Sequence, residues 1–106
     1  MANTYVNAKV DLTATSVTTL YTCAGLTTGI VKSMLVSEDT GNADTITVTI
    51  TNGSTVYSLF KTKAVGANTT VELLTAPLVV QAGEILKVTA ATANRLHVVA
   101  SILEIT

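Results

Sequence analysis

Few side chains in this sequence could do chemistry. Cys23 is the single thiol and His97 the single imidazole. A cysteine nucleophile needs a base within hydrogen-bond reach and a third group to orient that base. Cys23 and His97 lie far apart in sequence, and His97 sits inside the apolar run Leu96-His97-Val98-Val99-Ala100. A buried structural thiol and a strand histidine held by one hydrogen bond is the better reading. A zinc site takes three or four Cys, His or carboxylate ligands, and these two residues exhaust the soft donors. The one acidic cluster is Glu38, Asp39 and Asp44, with Asn42 between them. Oxygen ligands at short spacing in a turn can hold calcium, but this stretch lacks the spacing of an EF-hand loop. Asp and Asn in strand connections commonly bond their own backbone instead. The expectation is no catalytic residues, no metal and no cofactor: a non-enzymatic protein.

The elements that must position these residues are strands. Residues 45–51 read Thr-Ile-Thr-Val-Thr-Ile-Thr. A period of two places Ile46, Val48 and Ile50 on one face and the threonines on the other. Asn52-Gly53 follows at once and tolerates positive φ at both central positions of a tight hairpin turn. Residues 54–61 form the return strand. Further strand-like runs cover residues 5–12, 17–23, 30–37, 69–75, 85–91 and 95–105, with a short one at 78–80. Turn signals separate them every eight to twelve residues, the spacing of a sandwich or barrel. No stretch has the period of a long amphipathic helix. The predicted fold is all-β: one antiparallel β-sandwich of about eight strands, jelly-roll-like or immunoglobulin-like. It fills residues 1–106 as a single domain, with a possible N-terminal arm at residues 1–7.

Composition bounds the function class. Hydrophobic residues make up 48% of the chain but charged residues only 12%, about half the usual share for a soluble domain. Threonine, about one residue in five, replaces the missing charge. A surface so poor in charge is weakly protected against association, as befits a subunit packed against others. Net charge is −1, and the six basic residues are scattered, with only Lys61 and Lys63 close together. A nucleic-acid binder concentrates Lys and Arg on one face, so no nucleic-acid partner is expected. No apolar run approaches the ~20 residues of a membrane helix, and 4% aromatics cannot furnish the girdles of a membrane barrel, so no membrane partner is expected. No basic segment followed by an apolar stretch opens the sequence, so a signal peptide is not evident. Four aromatics also make a carbohydrate-binding module a weak alternative.

Two runs are apolar on both faces. In residues 96–105, Leu96, Val98, Ala100 and Ile102 share one face, while Val99, Leu103 and Ile105 share the other. In residues 30–36, Ile30, Met34 and Val36 lie on one face, and Val31 and Leu35 on the other. A strand that is greasy on both sides must hide both, and a domain this size has one core. The candidate interface is therefore Val99, Leu103 and Ile105, with Val31, Leu35, Tyr5 and the arm.

Three segments carry a family resemblance. Leu20-Tyr21-Thr22-Cys23-Ala24-Gly25 leads into Gly29-Ile30-Val31-Lys32-Ser33. Val36-Ser37-Glu38-Asp39-Thr40-Gly41-Asn42-Ala43-Asp44-Thr45-Ile46-Thr47-Val48 follows. Glu72-Leu73-Leu74-Thr75-Ala76-Pro77-Leu78-Val79-Val80-Gln81-Ala82-Gly83-Glu84-Ile85-Leu86-Lys87-Val88 is the third. Together they resemble small β-sandwich structural proteins of the virions of tailed bacteriophages. The resemblance implies a head-decoration, or cement, protein on the capsid exterior, synthesised in the bacterial host cytoplasm. It implies a homotrimer that contacts the major capsid protein, or else a tail, neck or fibre-adaptor role. No functional site is carried across by it.

Overall fold

The computed structural model describes residues 2–106, and the elements in it follow from the period-two patterning. Nine strands run in order: β1 (Asn3–Asp11), β2 (Thr18–Thr22), β3 (Thr28–Glu38), β4 (Asp44–Asn52), β5 (Thr55–Val65), β6 (Thr70–Glu72), β7 (Leu78–Val80), β8 (Ile85–Ala90) and β9 (Leu96–Ile105). They form two sheets, one ordered β1-β9-β3-β6 with β7 also paired to β3, the other ordered β2-β8-β4-β5. Inward side chains of both sheets make one core. Met34, Val36, Ile46, Val48, Leu86, Val88, Val98 and Ile102 are all fully buried within it.

Every pairing is antiparallel, and the pairings are nested about the β4–β5 turn: β4 with β5, β3 with β6 and β7, β2 with β8, β1 with β9. A paired ribbon rolled so that successive pairs fall in alternate sheets is a jelly roll, which decides between the two predicted topologies. The strand count is nine because β6 and β7 share one position, split by a stretch containing Pro77. That residue lacks an N–H for a ladder. The hairpin turn sits one residue later than the sequence suggests. Asn52 pairs with Thr55, and the positive φ falls on Gly53 (61°). Glycine at the first central position is the type II′ requirement.

Two expectations about individual residues are corrected. First, residues 3–7 are not an arm. Asn3 to Asp11 pair with β9 without a break, from Asn3↔Ile105 to Asp11↔His97, and Met1 lies outside the described residues. Second, Val31 is fully buried rather than on the outer face. Between Val31 and Ser33 the register against β9 shifts by one residue. An extra residue in one strand is a β-bulge, which reverses the facing of everything beyond it. With Lys32 as the extra residue, Val31 joins Met34 and Val36 inside, and Ile30 moves to the outer surface.

The bulge is held by Glu72. Its carboxylate accepts hydrogen bonds from the Ser33 hydroxyl, from the Met34 N–H at 2.7 Å and from the Leu74 N–H at 3.3 Å. Burial alone would raise the Glu72 pKa, but these donors outweigh it and hold the group below the usual carboxylate range.

Candidate functional site

The outer face of the five-stranded sheet collects the predicted interface residues. Register places Tyr5 beside Leu103, Leu103 beside Ile30, and Ile30 beside Val79. That is an apolar row crossing β1, β9, β3 and β7. A second row runs Lys9, Val99, Leu35, Glu72. Ile105, between Asn3 and Thr28, extends the first row toward the strand end. Tyr5 is 76% exposed, Val79 51%, Leu35 39% and Val99 38%. A sheet covered on one side by its own core and facing water on the other normally alternates apolar-in and polar-out. Here seven apolar side chains occupy outward positions on four adjacent strands.

Five of the six predicted residues, Tyr5, Leu35, Val99, Leu103 and Ile105, therefore meet on one surface, and Val31 does not. Ile30 and Val79 belong to it although the sequence pattern did not place them there. The signal for Ile30 was masked by the bulge. Val79 lies in a three-residue strand, too short to show a period.

The face is flanked by charge. Lys9 Nζ donates to Asn7 Oδ1 at 3.1 Å and makes no ion pair among the described residues, and Glu72 lies at the opposite edge of the same row. Along the sheet, His97 stands between two acids, with Nε2 3.2 Å from Asp11 Oδ1 and Nδ1 3.9 Å from Asp39 Oδ1. His97 is the second residue of β9, whereas Glu104 near the far end accepts a 2.6 Å hydrogen bond from the Tyr21 hydroxyl. Seven residues of strand separate His97 from Glu104, about 23 Å at the usual rise. Cys23 is two residues beyond Tyr21, buried, with its thiol on the Thr27 carbonyl at 3.3 Å. The structure thus sets Cys23 and His97 at opposite ends of the sandwich, too far apart for a nucleophile–base pair.

The Glu38–Asp44 turn is a backbone latch. Glu38, fully enclosed, accepts from the Thr40 N–H (2.8 Å) and hydroxyl, the Gly41 N–H (3.1 Å), the Asn42 N–H (3.2 Å) and, across the β5–β6 loop, the Asn68 N–H (3.0 Å). Burial opposes ionisation of Glu38. The Thr40 hydroxyl and the ring of amides more than offset it and pull the pKa down to about 2. Asp44 is turned elsewhere, accepting from the Thr92 N–H at 3.0 Å. Among the described residues no three His, Cys, Asp or Glu side chains group as metal ligands would.

The exposed tyrosines do not build a sugar platform. Tyr5 belongs to one sheet and Tyr57 to the other, while Phe60 is half-buried against the core. A groove of about 500 Å³ opens between β5 and the β6–β7 segment, lined by Leu59, Phe60, Leu74, Pro77 and Leu78. In comparisons with known proteins, no family model matches the chain, and no curated protein matches its sequence.

Proposed function

We propose that this chain is a structural subunit of a tailed-phage particle, a decoration protein of the capsid exterior that works by packing. Copies associate with one another and with a neighbouring shell protein through the outer face of the five-stranded sheet. The observation that carries this reading is the pair of apolar rows through Tyr5, Leu103, Ile30, Val79 and through Val99, Leu35, in a chain only 12% charged. The resemblance of residues 20–105 to virion proteins supplies the setting. Apolar burial contributes roughly 25 cal/mol per Å² before the costs of association. The repetition of a shell lattice then multiplies a modest contact into resistance against internal pressure.

Replacing Leu103 by Asp tests the reading. The substitution puts a charge at the middle of the first row without touching the core. Sedimentation is expected to show loss of association through this face, and particles assembled with the variant are expected to lack the protein. An L103D chain that folds, associates and decorates like the parent refutes the packing role. Copy number in purified particles separates the shell from a neck, tail or fibre position: decoration follows the lattice count, whereas a connector follows a single ring.

A further inference from the structure

We infer that two copies of this chain join through their β1 edges, antiparallel and about a two-fold axis at Asn7, into one continuous sheet. The inference rests on the self-association in the proposed function and adds a second contact to it, at the edge of the sheet whose outer face carries the first.

The first observation is how the four sheet edges differ. An exposed edge strand is an open template for pairing, and proteins blunt such edges with shortness, bulges, lysines or proline. Strand β5 shifts register twice against β4, carries Thr62 in a left-handed conformation (φ 50°) and is flanked there by Lys61 and Lys63. Strand β2 has five residues and a register shift between Thr19 and Tyr21. Strands β6 and β7 have three residues each. Strand β1 has nine residues in unbroken register, no proline and one lysine. Of the four edges it alone is left unguarded.

The second observation fixes the geometry of the partner. Ala2 and Thr106 exchange hydrogen bonds, with Ala2 N–H to Thr106 at 3.3 Å and Thr106 N–H to Ala2 at 3.0 Å. At the other end the Leu12 N–H donates to the Leu96 carbonyl at 3.0 Å. In an antiparallel ladder the residues that exchange bonds alternate with those that do not. The even-numbered residues of β1 therefore point their N–H and C=O groups at β9. The odd-numbered ones, Asn3, Tyr5, Asn7, Lys9 and Asp11, point theirs out of the edge. A second β1 must present odd residues to odd residues. The arrangement that uses the whole strand centres on Asn7.

That register sets Tyr5 opposite Lys9 of the second copy, Asn3 opposite Asp11, and Val6 opposite Ala8. No like charges oppose each other, and Lys9 gains an aromatic ring beside its stem. Five outward residues on each strand give about ten backbone hydrogen bonds across the seam, with the Asp11 carbonyl already accepting from Thr13 N–H at 3.0 Å. On the inner side Val6, Ala8 and Val10 are half-buried against the core, and the added strand covers them. On the outer side the two apolar faces merge into one. A two-fold pair differs from the threefold assembly that the family resemblance implies.

Cysteine placement reads the register directly. Asn7→Cys brings two thiols to residues directly opposite, about 5.5 Å apart at Cα, within disulfide range. Asn3→Cys leaves its thiols eight residues apart, about 27 Å. Under mild oxidation N7C is expected to form a covalent dimer and N3C to stay uncrosslinked. Asn7→Pro removes an N–H that the isolated subunit does not use, as edge strands allow. It is expected to keep the parent's circular dichroism and lose the dimer. The parent is expected to sediment at an even multiple of the 10.9 kDa chain mass, and a Leu103→Asp chain at twice that mass. A parent mass of one or three chains overturns the inference, as does equal crosslinking of N3C and N7C. If association survives Asn7→Pro but fails in Leu103→Asp, edge pairing is wrong and the face reading stands. If the reverse holds, edge pairing stands and the face reading falls. Should Asn7→Pro fail to fold, the two cysteine variants still decide.

Discussion

Replacing Gly29 by Ala should destabilise the fold through one side chain, Tyr21. A Cβ at position 29 would lie 2.9 Å from the Tyr21 hydroxyl oxygen and 3.1 Å from its Cε2. Gly29 is the β3 residue paired with Glu104 on β9. The Tyr21 ring from the opposite sheet crosses over Gly29 to reach the Glu104 carboxylate at 2.6 Å. Ordinary contact requires the ring to retreat by about 0.5 Å or more, and overpacking of this kind costs about 1–3 kcal/mol. The retreat also stretches a hydrogen bond to a charged group, a class worth about 1.5–3 kcal/mol when intact. A total near 2 kcal/mol corresponds to a melting temperature lower by about 10 °C in a domain of this length. Tyr21→Phe alone removes the hydrogen bond and should cost about 1.5 kcal/mol. In the double variant the nearest clashing atom is gone and there is no bond left to stretch. The two costs should therefore fall short of their sum by about 1 kcal/mol. Urea unfolding of the four proteins, followed by circular dichroism, measures the cycle. Additivity within about 0.3 kcal/mol, or a G29A protein as stable as the parent, refutes the crossing geometry.

Further predictions follow from the same packing. Glu38 holds its proton less tightly in the folded protein than the ordinary value of 4.5, so its latch stabilises the fold above about pH 4.5 and is lost as pH falls toward 2. Acid unfolding of Glu38→Gln should lack that dependence, and a profile equal to the parent's counts against the latch. Millimolar calcium should leave the parent's melting temperature unchanged, since the Glu38 oxygens are occupied by backbone donors and Asp44 faces Thr92. A rise on adding calcium contradicts this. Val31→Asp and Leu35→Asp should separate cleanly: the first buries an unpaired charge in a closed core and unfolds the protein, the second leaves the far-ultraviolet spectrum native and weakens association. Equal behaviour of the two would mean that the bulge at Lys32 is misplaced.

Much of the architecture was readable from residues. The threonine alternation of 45–51 specified β4, and Ile46 and Val48 are indeed fully buried. The two-sided pattern of residues 96–105 identified the strand that is inward at Leu96, Val98, Ala100 and Ile102 and outward at Val99. What escaped was local geometry. A bulge adds one residue without any compositional mark, so parity counted across Lys32 exchanged the faces of Ile30 and Val31. The polar start at Ala2-Asn3-Thr4 read as an arm because an edge strand buries little and need not alternate strongly. Glu38 read as one of three possible metal ligands, since sequence spacing cannot say whether a carboxylate points to solvent or to its own backbone amides. Of the candidate surface, Leu35, Val99, Leu103 and Ile105 were legible because each is a large apolar residue out of phase with a core-facing set, whereas Tyr5 was picked only as part of the supposed arm.

The nested pairing also dictates an order of events during synthesis. Strand β9 leaves the ribosome after the other eight, yet it lies between β1 and β3 in its sheet. Until it emerges, β1 has no partner, and β3 exposes the side that will receive it. The nascent chain must hold a gap open at its centre and close it last. Such long-range closure is slow compared with hairpin formation. The β4–β5 ribbon can therefore form early, while β1 waits with both its edges unpaired.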